Sequence, residues 1–277
     1  MKTLKLFLLA CLPGTNVVQA QNSGIDRFLA LKPSEINTVE QGPYEYDVTL
    51  KWQNLDALSG DRISCNAICG TYVTGIQNDF VAWKDVSLSD IRDLREKPTA
   101  GTPMPTFEGF TYKQYDTGCL TEDFYTSIAP EHRDIAKWLV SDALQMQGLA
   151  WYVFDSLEFN REFIPKMLDH YDIKFENWVT FSSRYQRLLW SGITRYNKEI
   201  CAVVKFESCY NPVEMNTETL SFKGRSLYWG EMWISLEDKQ VEYATMFEDV
   251  VFKLKSAAFP EEQLLDLQRE VIFDKVL

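Results

Sequence analysis

The sequence predicts an α+β protein, an antiparallel β-sheet packed against one long helix and a short C-terminal helix, and three stretches carry that expectation. Tyr44 to Trp52 alternates without error, with Tyr44, Tyr46, Val48, Leu50 and Trp52 on one side and Glu45, Asp47, Thr49 and Lys51 on the other, the pattern of a half-buried antiparallel strand. Pro130 to Glu158 changes to a helical period: Ile135, Trp138, Leu139, Met146, Leu149, Ala150, Val153 and Leu157 fall within one stripe of roughly 120°. Tyr228 to Leu236 is apolar or aromatic on both faces at the two-residue strand period. Tyr228, Met232, Ile234 and Leu236 point one way, and Trp229 and Trp233, with Glu231 between them, point the other. Such a strand either has both sides covered or leaves two tryptophans exposed for a partner.

The N-terminus reads as an export signal. Lys2 and Lys5 precede the apolar run Leu6 to Leu12, and Val18-Gln-Ala20 carries small residues at the cleavage-reading positions, so removal after Ala20 is expected. The alternative is a lipoprotein box at Leu8-Leu-Ala-Cys11 with lipidation of Cys11, which leaves an unusually short leader. No later stretch has the 18 or more consecutive apolar residues of a membrane-spanning helix. The chain carries 28 Lys+Arg against 40 Asp+Glu, a formal charge of −12, and loss of Lys2 and Lys5 makes it more negative still. That balance repels nucleic-acid phosphates and argues against a nucleic-acid partner. Residues 21–277 are expected to form one domain, with its large aromatic content, 13 Tyr, 17 Phe and 8 Trp, available for the core.

Cleavage leaves Cys65, Cys69, Cys119, Cys201 and Cys209, an odd number, so at least one is unpaired. Cys201 and Cys209 fall on one strand about 26 Å apart, beyond disulfide reach. One loop disulfide among Cys65, Cys69 and Cys119 is expected. Only two histidines exist, and no second ligand pair accompanies Cys65 and Cys69, so no metal and no cofactor are expected.

Along the chain, β-like runs at Thr71 to Ile76 and Asp79 to Leu88 flank a turn at Gln77-Asn78. The breaker-rich stretch Lys97 to Thr106 reads as a surface loop. Pro130 suits the first turn of the long helix, where Glu131 and Asp134 complement the dipole. Arg184 to Tyr196 and Glu199 to Tyr210 form a hairpin about Asn197-Lys198. In that register Leu189, Ile193, Ala202, Val204 and Phe206 share a face, Trp190 stands across from Lys205 and Leu188 across from Glu207. Tyr228 to Leu236 and Val241 to Phe247 make a second hairpin, with Val250 to Leu254 as an added strand. Pro260-Glu-Glu then opens a final helix carrying Leu264, Leu265, Leu267, Val271 and Ile272.

Residues with chemical potential are few. The sequence has no Gly-rich phosphate loop, no paired-histidine metal motif and no nucleophile elbow. His132, in the helix's first turn, and His170, in a polar turn, read as surface or capping residues, and no catalytic residue is assigned. Asp142 is sharper, because a carboxylate in the centre of an apolar stripe is costly unless bonded. Either a group on the facing sheet satisfies it, or it anchors the polar end of a ligand beneath the helix. Glu231 stands between two aromatic residues, where it could meet a sugar or, paired with Asp142, form a glycosidase-like dyad. Trp190, Trp229 and Trp233 are either core or ligand shelf. The candidate ligand-binding residues are therefore Asp142, Trp190, Trp229, Glu231 and Trp233.

Leu188-Leu-Trp-Ser-Gly-Ile-Thr-Arg-Tyr-Asn-Lys-Glu-Ile-Cys-Ala-Val-Val-Lys-Phe206 followed by Gly230-Glu-Met-Trp-Ile-Ser-Leu-Glu-Asp-Lys-Gln-Val-Glu242 resembles, in its hairpin rhythm, periplasmic lipoprotein-carrier proteins of the LolA and LppX type. The resemblance implies a strongly curved, half-barrel-like antiparallel sheet whose concave face, closed by helices, holds acyl chains. The long helix from Pro130 and the Cys65-to-Cys69 segment have no counterpart in that pattern. The resulting expectation is an exported, non-catalytic protein, periplasmic or extracellular, binding a hydrophobic or lipid-like small molecule between sheet and helix. Two other readings stay open: a secreted hydrolase using acidic residues on a glycan or ester, and an envelope interaction or scaffold protein.

Overall fold

The computed structural model describes residues 26–36, 42–76, 79–99, 101–114, 116–166, 171–175, 179–216, 220–256 and 259–277. The expected signal segment, the Gln77-Asn78 turn and His170 lie outside them. Residues 26–31 belong to a small N-terminal unit, Met1–Leu31, in which residues 26–29 make a helical turn. The rest of the fold lies in Lys32–Leu277.

In chain order that unit contains β1 (Tyr44–Asp56), β2 (Arg62–Thr74), β3 (Phe80–Asp90), β4 (Thr102–Pro103), β5 (Phe110–Lys113), the helix α1 (Arg133–Val153), β6 (Glu162–Phe163), β7 (Tyr171–Phe175), β8 (Val179–Ser183), β9 (Gln186–Tyr196), β10 (Glu199–Asn216), β11 (Leu220–Ser235), β12 (Val241–Ser256) and β13 (Phe259–Lys275). All thirteen strands join one open, curved antiparallel sheet, in the order β4-β3-β2-β1-β13-β12-β11-β10-β8-β7. β5 extends β3, and β9 runs beside β10 with β6 on its far edge. Most neighbours are consecutive in sequence, as expected of a meander. Of those that are not, the pairing of β13 with β1 as well as β12 spans furthest and sews the end of the chain to its beginning.

The expected C-terminal helix is therefore absent: Pro260 to Ile272 is strand. Leu265, Leu267, Arg269, Val271 and Phe273 alternate with Asp266, Gln268, Glu270, Ile272 and Asp274, and both flanking strands offer a full ladder, which overrides the helix-compatible spacing of the leucines. Two further expectations are corrected. Val241 to Phe247 and Val250 to Leu254 are one strand, β12, without a break. The β9–β10 hairpin does turn at Asn197-Lys198, both at positive φ (46° and 72°), as a two-residue turn requires. Beyond it the register shifts by one at Ser191, so Trp190 pairs with Val204 and Leu188 with Phe206, while Leu189 faces Lys205. A bulge flips every later side chain to the other face, and it makes Trp190 and Leu188 core residues.

The helix lies across one face of the sheet, here the inner face, against β11 and β12. Its buried residues include Ala136, Leu139, Val140, Asp142, Ala143, Met146, Leu149, Ala150 and Val153. On the sheet, Tyr46, Leu50, Met232, Ala244, Met246, Val271 and Phe273 are all at most 2% exposed. On the outer face, residues 91–97 attach at the β1–β2 end, where Lys51 Nζ donates to Leu94 O at 2.8 Å and Ile91 N to Cys65 O at 3.0 Å.

All five cysteines after the expected cleavage point are free thiols, against the expected loop disulfide. Cys65 and Cys69 share β2, about 13 Å apart at strand rise, and Cys119 is buried in its own 3-10 turn. Burial raises the Cys119 thiol to about 11 and the Cys201 thiol to about 12, so neither is a ready nucleophile.

Candidate functional site

The five candidate residues separate onto two faces. Asp142 and Trp190 belong to the inner face, whereas Trp229, Glu231 and Trp233 belong to the outer. The strand period dictates the split on β11: Tyr228, Met232 and Ile234 are buried under the helix, so the residues between them must face away from it.

On the inner face one row runs straight across six strands: Trp52, Arg269, Glu248, Tyr228, Ser208 and Gln186 are successive cross-strand partners. Arg269 reaches both Glu248, at 2.6 Å, and Asp142 on the helix, at 2.5 Å, with all three side chains at most 10% exposed. Its guanidinium lies 5.0 Å from the Trp138 ring, which in turn packs edge-on against Trp52 at 5.2 Å. Ser226 Oγ donates to the other oxygen of Glu248 at 2.6 Å, and Asn211 Nδ2 donates to Ser226 O at 3.2 Å. A bulge at Cys209 and Tyr210 brings Asn211 into line. Burial first, and then the neighbouring Glu248, push the Asp142 carboxyl up to about 6, while Arg269 pulls it back. Burial works against the charge of Arg269 too, but Asp142 and Glu248 outweigh it and hold the guanidinium above its usual range. Asp142 is thus engaged by an arginine on the facing sheet. Trp190 is fully buried, donates to Gly192 O at 2.8 Å and packs against Phe159 and Phe154.

The outer face is different. Leu227 and Trp229 on β11 and Phe247 and Val251 on β12 are between 37% and 39% exposed, large apolar groups left partly open on adjacent strands. Trp229 and Phe247 are cross-strand partners with nearly parallel rings, 23° apart at 5.9 Å between centroids. Further along, Trp233 packs against Tyr243 at 4.7 Å and Tyr196 at 5.0 Å, and Tyr196 donates to Asp274 at 2.7 Å. Glu231 lies between the two tryptophans and accepts from Trp233 Nε1 at 3.1 Å. Its cross-strand neighbours are Lys205 and Thr245. Asp249 faces Leu227, and Arg225 faces Val251. Partial burial, then Asp266 and Glu248, raise the Asp249 carboxyl above its usual range.

Two consequences follow for chemistry. Asp142 and Glu231 lie on opposite faces of the sheet, so they cannot flank one glycosidic bond as a catalytic dyad must. Among the described residues no group of three His, Cys, Asp or Glu is placed to hold a metal ion, and no helix is long and apolar enough to cross a membrane. The residues that sequence reasoning missed are Leu227, Tyr243, Phe247, Asp249 and Val251. Reading β12 as one strand would have found the last four, since Tyr243, Thr245, Phe247, Asp249 and Val251 recur at period two, and Leu227 precedes Trp229 at the same period on β11. Neither a protein-family model nor a curated protein matches the chain.

Proposed function

We propose that this is an exported, non-catalytic binding protein that takes an amphipathic ligand on the open outer face of its sheet. The observation that carries this reading is the strip of Leu227, Trp229, Phe247 and Val251, each more than a third exposed, with charged side chains set among them. An apolar patch edged by polar groups is the usual mark of a binding surface. The ligand place expected from the sequence, between sheet and helix, has its polar anchor Asp142 already engaged by Arg269. The outer strip has no such internal use. Export is supported by the basic, apolar and small-residue order of residues 1–20.

The test uses octyl glucoside below its micellar concentration, a probe with both an alkyl chain and a sugar head. Added to the full chain, it should change tryptophan fluorescence and slow amide exchange in β11 and β12. The double variant Trp229→Ala/Phe247→Ala should lose that response with its melting temperature within a few degrees of wild type, because exposed positions carry little stability. An unchanged response in the double variant, or none in the wild type, would remove the outer face from consideration.

A further inference from the structure

We propose that the ligand of the outer strip is a neutral saccharide chain lying along β11; this rests on the binding reading above. The strip is not plain grease. Lys205, Arg225 and Asp249 stand among or beside its apolar side chains, and among the described residues none of them has a hydrogen-bond or ion-pair partner. Glu231, between the tryptophans, accepts from the indole of Trp233 and, among the described residues, from no other side chain. A hydrocarbon laid over this surface would strip water from those charges and return nothing to them, which is costly. A protein partner fits poorly for a related reason, since the centres of protein interfaces are depleted in charged residues. A saccharide meets both demands. Its C–H faces stack on aromatic rings, and its hydroxyls both donate and accept, so carboxylate and ammonium are satisfied by the same chain.

Charge and dimensions narrow the class. Both signs of charge stand along the strip, Arg225 and Lys205 with Asp249, Glu231 and, across from Trp229, Glu207; the carboxylates outnumber the cations and the chain as a whole carries −12, so a polyanionic glycan is repelled. Trp229 and Trp233 are four residues apart on one strand, about 13 Å at strand rise, roughly the length of two to three sugar rings. Glu231 falls midway, where it can accept from ring hydroxyls while the indoles hold the faces to either side. Phe247 widens the platform onto the neighbouring strand beside Trp229.

The experiment titrates the full chain with soluble neutral hexasaccharides, β-linked glucose, α-linked glucose and N-acetylglucosamine, reading tryptophan fluorescence and amide exchange. Polygalacturonate and neutral phosphatidylcholine vesicles run in parallel. At least one neutral hexasaccharide should bind, and its monosaccharide should bind at least about tenfold more weakly, since a single ring cannot span both indoles. Trp229→Ala and Glu231→Gln should each weaken binding by about tenfold or more with melting temperature unchanged, and Trp229→Phe should retain most of it. Failure of every neutral hexasaccharide, with octyl glucoside or the vesicles still binding at β11 and β12, overturns the saccharide assignment and leaves the binding surface standing. Tighter binding of polygalacturonate also overturns it. Concentration-dependent dimers that protect the strip would overturn it in favour of a second copy of this chain. Absence of any response, octyl glucoside included, removes both readings together.

Discussion

Arg269 holds two buried carboxylates at once, Asp142 from the helix and Glu248 from the neighbouring strand. Breaking a buried pair from one side leaves uncompensated charge and costs about 3–5 kcal/mol, so Arg269→Met, which abandons two acids, should lose at least that much in urea unfolding at pH 7. The pH dependence has a definite sign. The folded Asp142 carboxyl titrates at about 6, above its ordinary 3.8, so the folded state binds that proton more tightly than the unfolded one. Its stabilising share is full below the ordinary value and is lost as pH rises through 6. Wild-type stability from this group should fall between pH 4 and pH 6 by on the order of 3 kcal/mol, and Asp142→Asn should flatten that slope. Unfolding free energies measured at half-unit pH steps for both proteins check it. The oddity of an acid in an apolar stripe was legible at Asp142. Its partner was not, because Arg269 lies 127 residues away in a segment whose leucine spacing suits a helix.

At the scale of elements, the strand of Tyr228 to Leu236 has one face covered, while on the other Trp229 is partly exposed and Trp233 is packed against Tyr243 and Tyr196, so its two-sided pattern resolves into neither expected case alone. Gly230 shows how closely that strand is fitted. A methyl group there would stand 2.0 Å from Thr245 O and 2.6 Å from the tip of the Phe206 ring, well inside van der Waals contact. One neighbour is backbone in the adjacent ladder, so Gly230→Ala should cost about 2–3 kcal/mol, the upper part of the usual overpacking range, and a thermal melt should register it as a clear drop. The β9–β10 turn was readable because Asn and Lys at a two-residue connection between apolar runs restrict the possibilities. The bulge at Ser191 was not, since nothing in Leu189-Trp-Ser-Gly192 distinguishes a residue paired in the ladder from one squeezed out of it. Its consequence is large: Trp190 moves from a candidate shelf to the core.

For the molecule as a whole, the position of β13 is decisive. The last strand lies between β12 and β1, so among the described strands the ladder from β1–β3 to the C-terminal strands runs through it. Truncation after Ser256 should therefore abolish cooperative unfolding altogether, leaving no transition in circular dichroism or denaturant titration. A truncated chain that still melted in one sharp step would contradict this dependence. Contacts between residues more than two hundred positions apart, such as Lys51 with Glu270, also imply slow folding, because a long loop must close before they form.

Local pattern determined much here: the alternating strand at Tyr44, the helix across Pro130 to Val153 with its single buried acid, the two-faced strand at Trp229 and Trp233, and the acidic balance. These depend on periods of a few residues, which the chain displays directly. Which face each tryptophan occupies, what answers Asp142, and whether the last leucines wind or extend were decided only by tertiary structure. Those outcomes depend on neighbours supplied from distant parts of the chain, and a strand's surroundings exist only once the sheet on either side of it has been assembled.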